Sequence, residues 1–306
     1  MYKLLEAKAK CYPSEIEISE IHARVPLQSM LNHILNRVLI IVADDIPQME
    51  VNSKGILCVK LGMDGASSQS IYNQKYDEAD LAERSSNEES LFLTSITTLR
   101  LVINSKEVWS NPKTSSQHFT RPLHMQYEKE NVELTVREEQ CLRGEIDSLT
   151  DFNFEFGSIS INAEITMLDG KAVNAITNTK SSQSCHICAA SPKEMNNLQL
   201  VRKKVIDEKA VKLGLSPLHM LMRGFEYILH LGYKMENQTF FARSPEEKAS
   251  VEKRKMLIKK RFREELSLLV HTPKQGFANT NTGNTARRAF DNPEVFSDIT
   301  GSMLKS

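Results

Sequence analysis

Apolar residues recur at helical spacing after Pro26. Leu27, Met30, Leu31, Ile34, Leu35 and Val38 form one stripe, which predicts an amphipathic helix to about residue 42 with proline at its first position. The pattern then changes to strand-like runs at 55–63, 91–103 and 121–128. Trp109-Ser-Asn-Pro112 between them reads as a turn. Residues 64–90 are rich in Ser, Asn, Asp and Glu and read as a long loop, and 130–149 reads as a helix. In 157–168, Ile159, Ile161, Ala163, Ile165 and Met167 alternate onto one face, and Asp169 continues that parity. The predicted order is strand, strand, strand, helix, strand.

Beyond residue 181 the pattern predicts helices near 200–213 and 216–232. Leu218, Leu221, Phe225 and Leu229 are the apolar stripe of the second, with His219, Arg223, Glu226 and His230 on its other side. Ser244-Pro245-Glu246-Glu247 is a capping box opening a third helix, to about Leu269. Gly276 to Arg288 reads as a loop ending in two arginines, and Pro293 precedes a short tail.

Asp64 and Asp169 each end an apolar run and each precede a glycine. Asp-Gly alone commonly marks a turn. A carboxylate at the mouth of a sheet, followed by a residue that permits close approach, also suits Mg²⁺. Cys185-His-Ile-Cys188 has the spacing of half a structural zinc site, and equally of two reduced thiols in a loop. Charge adds little, since 39 basic residues balance 39 acidic ones, although 251–264 is strongly basic. Five cysteines with one close pair do not form a secreted disulfide framework. The first residues lack a signal-peptide core, and no apolar stretch approaches a bilayer span, so no membrane partner is expected.

Leu-Gly-Met-Asp64-Gly-Ala-Ser-Ser resembles the first active-site strand of the Transib transposases and of the V(D)J recombinase catalytic subunit. Four further blocks are similar to that family in the same order: Leu91–Arg100 with Trp109–Pro112 and Arg121–Leu123, Met167–Lys171 with Cys185 and Cys188, Leu218–Glu226, and Gly283–Arg288. The resemblance implies an RNase H-like mixed α/β sheet over 49–180. A helical segment, 1–48, would precede it, and a helical, zinc-ligand-containing extension, 181–306, would follow. It implies a nuclear DDE-type enzyme that nicks, hairpins and joins double-stranded DNA at transposon or signal ends, with a homodimer as one assembly.

In that family's pattern Asp64 and Asp169 would share Mg²⁺ or Mn²⁺, and Cys185 and Cys188 would be the first pair of zinc ligands. His219 and Arg223 would stand beside the scissile phosphate, against the alternative of a half-exposed helix face. Arg287 and Arg288 would contact the phosphate backbone, against the alternative of a solvated pair. The family's third acidic ligand, a glutamate, and its zinc-binding histidine pair have no counterpart up to Ser306. Glu226 belongs to a different block and is not expected to replace that glutamate. Impaired chemistry is therefore expected, and the alternative is a non-catalytic remnant that binds DNA or protein.

Overall fold

The computed structural model describes residues 10–43, 52–67, 90–181, 183–214, 216–235, 242, 244–273 and 280–301. The chain divides into two compact units, Met1–Gly214 and Leu215–Ser306. Most of the loop expected over 64–90 lies outside the described residues.

The first unit is built on a mixed sheet. Its elements are β1 (Glu17–Ile18), β2 (His22–Arg24), α1 (Leu27–Ile41), β3 (Ser53–Ser67), β4 (Ser90–Ile103), β5 (Lys106–Ser110), β6 (Thr120–Gln126), α2 (Val132–Asp147), β7 (Phe152–Phe154), β8 (Gly157–Met167) and α3 (Gly170–Ile176). The strand order is β1-β2-β6-β4-β3-β8-β7, with β5 paired to β4. β3 is central, antiparallel to β4 on one side and parallel to β8 on the other. Trp109 lies in β5 rather than in a turn, paired with Leu101. The segment before residue 48 is also not purely helical, because β1 and β2 extend the sheet through β6.

One face of the sheet carries the core. Leu57, Val59, Leu61 and Met63 of β3 lie there with Phe92, Ile96 and Leu101 of β4 and Ile159 and Ile165 of β8. α1 contributes the six residues its spacing predicts, all buried. Pro26 offers no side-chain cap, so the Leu27 N–H donates instead to Glu145 of α2 at 2.7 Å. Asn131 caps α2 by accepting from the Leu134 N–H at 2.8 Å. On the sheet-facing side of α2, Glu138 accepts from Thr94 at 3.1 Å and pairs with His124 at 2.9 Å. The cavity beside this network is about 10 Å³, the volume of one water-sized probe, so it is no ligand site.

The second unit is helical: α7 (Pro217–Lys234), α8 (Pro245–Leu266), α9 (Gly283–Phe290) and α10 (Pro293–Thr300). Three short helices, α4 (Pro192–Met195), α5 (Leu198–Val201) and α6 (Glu208–Lys212), precede it within the first unit. The helix expected over 200–213 is therefore broken, because Asp207 starts a new one by capping Lys209 and Ala210. The capping box at Ser244 forms as its residues predict. α8 ends at Ser267, whose φ of 52° is left-handed. The buried stripe of α7 is Met222, Phe225, Leu229, Gly232 and Tyr233, rotated from the expected one, and Leu218 is exposed. Phe225, Phe262, Phe290 and Phe296 form the aromatic centre of this unit. Arg287 and Arg288 lie on α9 rather than in a loop, because Thr282 caps a helix there. The tail after Pro293 is likewise helical. No helix among the described residues is long and apolar enough to cross a membrane.

Candidate functional site

The two aspartates reach the same end of neighbouring parallel strands. Leu61 pairs with Ile165, but the next pair is Gly62 with Met167, so Thr166 is an extra residue in β8. That bulge overturns the simple alternation expected along β8. Up to Ile165 the odd-numbered residues face the core with Leu57, Val59 and Leu61. Met167 instead shares the opposite face with Gly62, and its Sδ lies 3.7 Å from the Thr97 hydroxyl. Leu168 then turns into the core, 4% exposed. Asp169 follows past the end of β8, two residues after Met167, as Asp64 is two residues after Gly62.

The bulge therefore decides the geometry. A regular β8 would place Asp169 on the core face and Asp64 on the other. One inserted residue shifts that alternation, so that counting on from the Gly62–Met167 pair gives Asp64 and Asp169 the same parity, with Asp169 just past the end of β8. Gly62 makes this possible, because Met167 crosses directly over it. A Cβ there would lie 2.6 Å from the Met167 carbonyl carbon and closer still to its oxygen.

Local chemistry fixes each residue differently. Asp169 is the N-cap of α3, and its Oδ1 accepts from the Ala172 N–H at 2.7 Å. Asp64 sits near the end of β3, exposed, paired in register with Leu93. Gly65 allows Glu130 to pack against this strand end, since a Cβ there would lie 2.8 Å from Glu130 Oε2. The same oxygen pairs with Lys171 Nζ at 2.9 Å. Glu130 and Lys171 thus tie the residue after Asp64 to the first turn of α3, which Asp169 caps. The sequence signalled neither partner beyond Lys171 following Asp-Gly, because Glu130 reads as one more charge before a helix.

Two oxygen donors of this kind suit a hard divalent cation. Among the described residues no group of three His, Cys, Asp or Glu stands ready to hold a metal. The donor set here is two carboxylates.

The thiol pair lies in a tight loop. The Cys185 N–H donates to the Ala190 carbonyl at 2.9 Å, and the Ala189 N–H donates back to Cys185 at 2.8 Å. Burial pushes the Cys185 thiol up, but hydrogen bonds from the Cys188 and Ile187 N–H groups and the Cys188 thiol outweigh it and hold it below its ordinary value. Such N–H···S bonds also stabilise a metal-bound thiolate, so the pair fits half of a zinc site.

In the second unit, His219 Nδ1 lies 2.7 Å from Oγ of Ser216, the N-cap of α7, while Arg223 is exposed. Glu226 is an anchor. Its Oε1 accepts from the Thr280 N–H and hydroxyl and from the Asn281 N–H and amide, at 2.7 to 3.1 Å. Burial works against its ionisation, yet these donors hold its pKa below the usual carboxylate range. Gly283 packs on the Leu218 side chain, where a Cβ would lie 3.5 Å from Cγ and closer to Cδ1. The sequence blocks around 218–226 and 283–288 are therefore one packed assembly. Arg288 Nη2 donates to the Leu266 carbonyl at 3.3 Å, at the end of α8, whereas exposed Arg287 makes a 3.4 Å contact with Asn284.

No protein-family model matches the chain, and no curated protein matches it.

Proposed function

We propose that the chain is the core of a DDE-type DNA transposase or recombinase, in which Asp64 and Asp169 share a divalent cation, Mg²⁺ or Mn²⁺. The observation that supports this reading is the bulge at Thr166, which gives Asp64 and Asp169 the same alternation when counted on from the Gly62–Met167 pair of adjacent parallel strands. The run β6-β4-β3-β8, with three antiparallel strands and a fourth parallel to the central one, supports an RNase H-like sheet. The ordered sequence blocks support the family.

A bound cation would supply Lewis-acid stabilisation of the oxygen leaving a phosphodiester and lower the pKa of an attacking water. The chain's own residues do the rest. Asp169 is held rigid by its capping bond, and Glu130 with Lys171 fixes the neighbouring strand end. Arg287 is available for a phosphate oxygen, and Arg223 is a second exposed cation for the same role. His219, hydrogen-bonded to Ser216, keeps the phosphate-positioning role that the resemblance implies. The nucleus is where such an enzyme meets double-stranded DNA.

Two carboxylates are the donors placed here among the described residues, and two hold a metal less firmly than three, so weak cleavage is the expected outcome. A protein that binds duplex DNA in a salt-dependent manner and nicks it weakly in Mn²⁺, with nicking lost in Asp64→Asn, bears the reading out. Salt-dependent DNA binding with no cleavage in either metal would instead support a non-catalytic DNA-binding remnant. Absence of DNA binding at low salt would refute both.

A further inference from the structure

Basic side chains from two elements of the first unit converge on the turn at 10–12. Arg121 of β6 pairs in register with Ile96, a core residue of β4, so it enters from the face that α1 covers. His33 and Arg37 lie one helical turn apart on α1, on the same side. Arg37 Nη1 donates to the Lys10 carbonyl at 2.7 Å, and Arg121 Nη1 donates to the Cys11 carbonyl. His33 Nε2 is buried with no partner. Tyr12 lies close enough to feel the Arg121 charge, and burial keeps its hydroxyl protonated and therefore a donor.

No carboxylate answers these charges. Among the described residues neither arginine forms an ion pair, and each spends one nitrogen on a backbone carbonyl. Each guanidinium has further N–H donors to give. Burial and the Arg37 charge lower the pKa of Arg121, and burial with both arginines lowers that of His33. Folding therefore gathers like charges and leaves donors unspent, which costs stability unless an anion sits among them. Anchoring on carbonyls accounts for one nitrogen of each arginine, but for neither their repulsion nor the orphaned imidazole. Arg37 is exposed, and no Arg121 nitrogen is both buried and without a partner, so the spare donors open to solvent. Planar guanidinium forks match the oxygens of a phosphate.

We propose that Arg37, Arg121 and His33 bind a phosphate group through the two guanidinium forks and His33 Nε2, with the Tyr12 hydroxyl as a further donor. The group is a free phosphate or a diester of a nucleic-acid backbone. The inference is independent of the nuclease reading.

The test uses the full chain, with inorganic phosphate, sulfate and a short DNA duplex as probes. Calorimetric titration should show saturable binding, with Tm rising as the bound probe is added. Arg37→Gln and Arg121→Gln should each weaken binding by about tenfold, as loss of one charge-assisted hydrogen bond implies. Arg137→Gln is the control, because it removes the same charge from an exposed arginine paired with Glu128 and should change nothing. The imidazole resonances of His33 should shift with whichever probe binds. Arg37 is exposed, so its variant keeps the test decisive where Arg121→Gln fails to fold. Saturable free-anion binding lost in the two variants assigns the site to a free phosphate. Duplex affinity lowered in the same variants, with the free anions unbound, assigns it to a backbone diester. No saturable free-anion binding together with unchanged duplex affinity, an Arg137→Gln as damaging as Arg37→Gln, or a His33 resonance indifferent to the bound probe would each overturn the proposal.

Discussion

Gly62→Ala is the sharpest perturbation the fold offers, because a single methyl group strikes the backbone that carries Asp169. The new Cβ would meet the Met167 carbonyl carbon at 2.6 Å, with its oxygen and Cβ nearer, where ordinary contact begins at 3.4 Å. Backbone cannot rotate away as a side chain can, so β8 must slide or lift from β3. Overpacking of this sort costs about 1–3 kcal/mol, and a loosened strand end forfeits about one further ladder hydrogen bond worth ~1 kcal/mol. The sum is about 3 kcal/mol, or roughly 6–12 °C in Tm for a unit of this size. Thermal unfolding followed by circular dichroism measures it. Gly144→Ala is the control: nothing lies within 4 Å of its Cβ, and it sits inside α2, where alanine stabilises by about 0.5–1 kcal/mol. Equal melting temperatures for the two variants would refute the crossing of Met167 over Gly62, and with it the bulge that aligns the aspartates.

Glu138 gives a pH signature. Burial opposes its charge, but hydrogen bonding and charge from His124, with the Thr94 hydroxyl, hold its pKa below the usual carboxylate range. A depressed folded pKa contributes stability that is complete above the unfolded value of about 4.3 and is lost as pH falls through the folded one. The low-pH decline in Tm should therefore be shallower in Glu138→Gln, and that variant should also lose roughly 1–3 kcal/mol at neutral pH; an unchanged acid slope would show the pair contributes nothing. Arg287→Ala should reduce the slope of log K against log salt for duplex DNA by about one unit. Arg288→Ala should chiefly cost about 0.5–1 kcal/mol of stability, through the lost bond to Leu266. Gel-shift titrations across salt separate the two, and identical effects would contradict their different placements.

Long, strongly periodic segments were legible in the sequence. The six buried residues of α1 are those its spacing gives, and the capping box at Ser244 names its helix start to the residue, because capping is local chemistry. The alternation along β8 was legible only to Ile165. A bulge adds one residue to an apolar run without altering its composition, so Ile-Thr-Met gives no sign that Met167 changes face. The Asp-Gly pair at 169 follows the end of β8, whereas β3 runs on through Asp64 and Gly65 to Ser67, and Glu130 was missed because its contact with Gly65 and Lys171 comes from three segments distant in sequence. The arginines of α9 looked like a loop because Gly-Asn-Thr is turn chemistry. What makes that stretch helical is Thr282 as cap, with Glu226 pinning the two preceding residues from another helix. Strands β1 and β2, of two and three residues, were too short to show a period at all.

The central claim is that Asp64 and Asp169 together hold a divalent cation, and Mn²⁺ titration followed by electron paramagnetic resonance tests it directly. Asp169→Asn is the suitable variant, since asparagine caps a helix as well as aspartate and preserves the bond to Ala172 while removing the charge. The account predicts weak, saturable Mn²⁺ binding, with Kd on the order of 10⁻³ M for so sparse an oxygen site, lost in Asp64→Asn and in Asp169→Asn alike. Mn²⁺ binding undiminished in both variants would contradict it.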